Sequence, residues 1–119
     1  MHLFNEGVFA LHSGELSSWK IDCDSLTDED WSTLARMAIN VLPDFGKVVG
    51  VPKGGLSFAN ALKKYTTEGS PVLIADDVLT TGGSMEEIRK GDKDVLGIVV
   101  FARKKPPDWV KALFTYCEA

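Results

Sequence analysis

The stretch VLIADDVLTTGGS, residues 72–84, constrains this chain more than any other. Its first four residues form a short apolar run with branched side chains, the pattern of a strand buried on both faces in a parallel sheet. Two adjacent aspartates follow, and soon after them two threonines, two glycines and a serine, with little to bury. Polar segments that directly follow a buried strand belong at the carboxyl edge of an α/β sheet, where ligands bind. The pattern predicts a strand over 72–75 that delivers Asp76, Asp77 and the segment 80–84 to such an edge.

The rest of the chain supplies partners for that strand. Thr27 is placed to cap a helix, with Asp28, Glu29 and Asp30 in the first turn, where the helix dipole favours acids. Trp31, Leu34, Ala35, Ala38, Ile39 and Leu42 then fall on one face, and Pro43 stops the run. KVVGVP predicts a strand over 47–51, followed by a helix over 56–65 packing through Phe58, Ala61, Leu62 and Tyr65. A short helix over 84–90, a strand over 95–101 and an edge strand in ALFTYC complete the series. Strands alternating with helices mean βαβ units, so the fold class is α/β, a mainly parallel twisted sheet flanked by helices. With 119 residues, no repeat and no linker, residues 1–119 read as one domain.

Composition removes several classes of function. Apolar residues at 45% and charged residues at 25% are the proportions of a soluble globular chain. A net charge of −4 argues against a nucleic-acid partner. No apolar run approaches the ~20 residues that span a bilayer, and MHLFNEG lacks the pattern of a signal peptide. The expectation is a cytoplasmic protein with no membrane partner. Cys23 and Cys117 stand far apart, without a CxxC or a His cluster, and read as reduced, buried thiols.

Two segments suit anions. Thr80, Thr81, Gly82, Gly83 and Ser84 combine hydroxyls with glycines that let the backbone approach a phosphate. PKGG, with Lys53, Gly54 and Gly55, follows the neighbouring strand and suits a second anion such as diphosphate. Asp76 and Asp77 would repel phosphate, so the partner that suits them is a sugar diol, which donates hydrogen bonds to acceptor-only groups. The simpler reading makes both segments tight turns and the aspartates a solvated strand end. Trp19, Trp31 and Trp109 read as core or interface, and Arg103, Lys104 and Lys105 as a solvated strand end.

These residues resemble a known family. VLIADDVLTTGGS is similar to the phosphoribosyl diphosphate (PRPP) binding motif of type I phosphoribosyltransferases, an apolar strand, two acids and a TTGGS-like loop. VFALHSGELSSWKIDC resembles the opening of orotate phosphoribosyltransferases, and GVPKGG resembles their diphosphate loop. The resemblance implies that Asp76 and Asp77 act as the catalytic pair, holding the ribose hydroxyls and favouring positive charge on the sugar. It implies that residues Thr80 to Ser84 bind the 5-phosphate and that Lys53, Gly54 and Gly55 bind diphosphate. Mg²⁺ would be held through PRPP rather than by a protein cluster. Arg103 and Ser13 are the positions it offers for the base; His12 adjoins Ser13 and reads as an ordinary surface or partly buried histidine. A nucleobase acceptor and a possible homodimer complete what it implies.

The chain also departs from that family. Only TTEGS separates Tyr65 from Pro71, where the orotate enzymes insert a strand and a long mobile hood. Leu16 stands where they carry a lysine, and Lys20 and Ile21 where they carry aromatics. A non-catalytic PRPP- or nucleotide-binding regulatory module of the same fold is therefore the alternative to an enzyme. LIADD is also similar to the acidic start of a receiver domain, but too little chain follows Asp77 to supply that fold's later aspartate and lysine.

Overall fold

A computed structural model of the chain describes residues 4–10, 16–21 and 23–115. Strands β1 (Phe4–Ala10) and β2 (Leu16–Ile21) pair antiparallel as a two-stranded sheet, with a register shift between Glu6 and Phe9. Periodicity alone does not predict this hairpin, because neither FNEGVFA nor LSSWKI alternates strictly. Helix α1 (Asp28–Ile39) begins as expected. The Thr27 hydroxyl accepts from the Asp30 N–H at 3.2 Å, and the Thr27 N–H donates to the Asp30 carboxylate at 2.9 Å, a full capping box. The helix ends three residues before the expected Leu42. Residues Asn40, Val41 and Leu42 turn back onto Met37 and Ala38 carbonyls, and Pro43 disfavours helical backbone just before it.

Four parallel strands form the main sheet. Strand β3 (Lys47–Gly50) leads through residues 51–55 into α2 (Leu56–Leu62), which tightens into a 3-10 turn over Lys63–Tyr65. Strand β4 (Val72–Leu79) leads into α3 (Gly83–Arg89), and β5 (Leu96–Ala102) and β6 (Val110–Thr115) follow. Their order is β3-β4-β5-β6, which puts β6 at an edge as the sequence predicts.

The sheet is covered on both faces, the reason its strands read as continuous apolar runs. Leu73 and Ala75 of β4 join Val48, Ile98 and Val100 against Trp31, Ala35, Ala38, Phe58 and Leu62 of α1 and α2. Ile74 points the other way, with Val99 and Val110, toward Met85 of α3. Each fully buried aliphatic or aromatic side chain in these clusters contributes roughly 1.5–3 kcal/mol by leaving water.

Strand β4 corrects one expectation. It does not end at Ala75 but continues through both aspartates to Leu79, because β5 runs beside it and Val78↔Phe101 and Leu79↔Ala102 extend the pairing. The connection from α2 to β4 is short. Thr67 donates to the Phe45 carbonyl and Gly46 to the Pro71 carbonyl, each at 2.7 Å, and Val72 then pairs with Lys47, the first residue of β3. Residues 66–71 are thereby fixed at the amino edge of the sheet.

Candidate active site at the carboxyl edge

Because the strands are parallel, the segments after β3, β4 and β5 emerge at one edge. Residues 51–55, residues 80–84 and Arg103 meet there, with Asp76 and Asp77 in the last part of β4 between them. The Arg103 N–H donates to the Leu79 carbonyl at 3.0 Å, so the end of β5 is tied to the base of the 80–84 loop. The half-buried Arg103 thus begins the segment after β5, beside the base of the 80–84 loop. Ser13 and His12 lie outside the described residues, as do Cys117 and the ring of Trp19. Cys23 and Trp31 are in the core, and Trp109 packs over Gly97 with Arg89 across its ring at 4.7 Å.

The two aspartates interrupt the regularity of β4. The N–H of Asp77 donates to Asp76 Oδ1 at 2.8 Å, and the N–H of Val78 donates to Asp77 Oδ1 at 2.7 Å. Each carboxylate therefore caps the peptide that follows it, which fixes the side-chain direction within the strand. Asp76 is buried, while Asp77 is half-buried. Burial pushes the Asp76 carboxyl from its ordinary 3.8 up to about 8. The Asp77 carboxylate beside it adds to the rise through hydrogen bonding and charge, and the Asp77 N–H opposes it. At neutral pH the raised Asp76 carboxyl favours its protonated form, which can donate a hydrogen bond.

Residues 51–55 are wound tightly against this pair. Val51 donates to the Ala75 carbonyl at 2.9 Å, Gly55 to the Val51 carbonyl at 2.8 Å, and Leu56 to the Lys53 carbonyl at 3.1 Å. The Pro52–Lys53 peptide is cis. A Cβ on Gly54 would stand 2.7 Å from Asp77 Cγ and 2.8 Å from its Oδ1, so only glycine lets the loop lie on that carboxylate. The sequence suggested that Gly54 and Gly55 contact an anion. It did not reveal that they also seat the loop on β4; the GG doublet was the available signal. Lys53 and Gly54 are exposed, whereas Gly55 is buried beneath them.

The 80–84 segment is looser. Gly82 is left-handed at φ 85°, and the Gly83 N–H donates to the Thr81 hydroxyl at 3.3 Å. Thr81, Gly83 and Ser84 are exposed, and Thr80 is half-buried. Among the described residues no three His, Cys, Asp or Glu side chains converge into a group that could hold a metal ion.

No family model matches the chain. An orotate phosphoribosyltransferase of Sulfurisphaera tokodaii is 28% identical over 83% of this chain and 67% of its own length. One of Sulfolobus acidocaldarius is 29% identical over 83% of this chain and 66% of its own. The chain thus spans about two thirds of the length of these relatives. Both alignments run to 131 positions although 83% of a 119-residue chain takes part, so the relatives carry internal residues with no counterpart in it. The crystal structure of orotate phosphoribosyltransferase from Aeropyrum pernix superposes with a TM-score of 0.76 at 23% identity, covering 95% of this chain and 88% of that one. Among the described residues no helix is long and apolar enough to cross a membrane. By sequence the chain is a distant homologue of orotate phosphoribosyltransferases, and it shares the fold of one of known structure.

Proposed function

We propose that the chain binds PRPP at the carboxyl edge and transfers its phosphoribosyl group to a ring nitrogen of a nucleobase, releasing diphosphate. The observation that carries this reading is the placement of Asp76 and Asp77 in the last part of β4, between two loops that suit anions. The 80–84 loop takes the 5-phosphate through its hydroxyls and backbone, and Lys53 with Gly54 takes the diphosphate. The ribose diol lies over the aspartates, where Asp77 accepts a hydrogen bond and the Asp76 carboxyl can donate one. Negative charge at this position favours the oxocarbenium-like state as the bond to diphosphate lengthens. Mg²⁺ held by PRPP would neutralise charge on the departing diphosphate.

Calorimetric titration with PRPP, with and without Mg²⁺, tests the binding, and diphosphate release with orotate or another base tests the transfer. Saturable binding strengthened by Mg²⁺, with base-dependent release, is expected. Asp76→Asn combined with Asp77→Asn should lower turnover by about 100-fold or more while changing PRPP affinity less. Unchanged turnover in that variant would remove the aspartates from the mechanism. Tight binding with no release to any base would identify a regulatory module instead.

A further inference from the structure

If the edge loops hold PRPP as proposed above, the acceptor is decided by what can reach the anomeric carbon. Residues 66–71 cannot cover it. They are hydrogen-bonded at the amino edge, through Thr67 to Phe45 and Pro71 to Gly46, with β4 between them and the site. At the carboxyl edge Lys53, Gly54, Thr81, Gly83 and Ser84 are all exposed to solvent. Closing a site is what keeps water from reactive intermediates. Negative charge at the Asp76–Asp77 pair, by contrast, stabilises an oxocarbenium-like state equally for a nitrogen or an oxygen attacker.

We infer that this edge, open among the described residues, also passes the phosphoribosyl group to water, so that the chain hydrolyses PRPP to ribose 5-phosphate and diphosphate with no base present. A water oxygen forms the new bond to C1. The C1–O bond to diphosphate breaks, its electron pair leaves with the diphosphate, and one water proton is lost to solvent. No oxidant, reductant or further reactant is needed. The inference rests on the phosphoribosyl reading of the site but concerns a different acceptor.

The test incubates the full chain with PRPP and Mg²⁺ in ¹⁸O-water without any base, and follows diphosphate and ribose 5-phosphate. PRPP binding is measured in parallel by calorimetry. Equal amounts of the two products are expected, at a rate about tenfold or more above PRPP alone. The diphosphate should carry no ¹⁸O, because the bond broken is to carbon. The release should be lost in Asp77→Asn, or in Lys53→Ala at its exposed position if the first variant does not fold. Binding of PRPP with base-dependent transfer but no base-free release would overturn hydrolysis and leave the proposed function standing. Label in a phosphate product would also overturn it, since attack would then be at phosphorus. Failure to bind PRPP at all would overturn both.

Discussion

The two glycine-bearing loops at the carboxyl edge look alike in sequence and differ in packing. In residues 52–55 both glycines are imposed by neighbours. Gly54 lies against the Asp77 carboxylate, and a Cβ on Gly55 would stand 2.5 Å from the Ala75 carbonyl oxygen and 2.9 Å from both Val51 N and O. In residues 80–84 the nearest atom to a Cβ on Gly83 is the Thr81 hydroxyl at 3.4 Å, an ordinary contact, and on Gly82 it is a Leu79 methyl at 3.9 Å. Only the left-handed backbone of Gly82 demands glycine there. The first loop is thus glycine-rich for reasons internal to the fold. The Gly83 position has no such internal reason, and the phosphate-binding role proposed for the 80–84 loop would supply an external one.

The contrast breaks first at Gly55. Gly55→Ala forces a methyl into the backbone of β3's exit and β4, neither of which can yield, and should destabilise the chain by about 1–3 kcal/mol, toward the upper end. A lowered urea midpoint with an unchanged m-value is the expected readout. A midpoint equal to the parent's would mean that the 51–55 winding is not as tight as the hydrogen bonds imply.

The carboxylates between the loops sharpen the same comparison through pH. Asp76 has its carboxyl raised from 3.8 to about 8, so between those values the folded chain keeps a proton that the unfolded chain has lost. The stability this proton confers is full below pH 3.8 and is lost as pH rises through about 8. Asp76→Asn keeps an oxygen able to accept the Asp77 N–H and removes the titration. The variant should exceed the parent by about 1–3 kcal/mol above pH 8, with the gap closing toward pH 4. Thermal melts of both proteins across that range check it. A constant gap would show that burial by the packed loop and strand does not govern Asp76.

Much of this arrangement was legible in the sequence. Thr27 and Asp30 announce α1, and the apolar runs at 72 and 95 announce strands buried on both faces, because burial and capping are local and periodic. The gathering of Lys53, Asp76, Asp77 and Thr80 at one edge follows from parallel topology alone. What was not legible depends on neighbours in space. The extension of β4 past its acids needed β5 alongside, and the seating of Gly54 on Asp77 needed the register of β3 against β4. A doublet of glycines reads the same whether it meets a carboxylate of its own chain or a ligand.

Gly83→Val separates those two cases with the smallest expected change in stability. The position opens α3 at its first residue, lies outside the left-handed region and has room for a Cβ, so unfolding free energy should stay within about 0.5 kcal/mol of the parent. The branched side chain would nevertheless stand on the exposed side of the loop, where the 5-phosphate must come close to backbone N–H groups. Affinity for PRPP should fall about tenfold or more, corresponding to about 1.4 kcal/mol of binding free energy. Paired urea melts and calorimetric titrations of the variant measure the two effects independently. A loss of affinity at constant stability would give this glycine an outward role. Equal affinity would reduce the 80–84 loop to a turn required only by Gly82, and the phosphate would have to be held elsewhere.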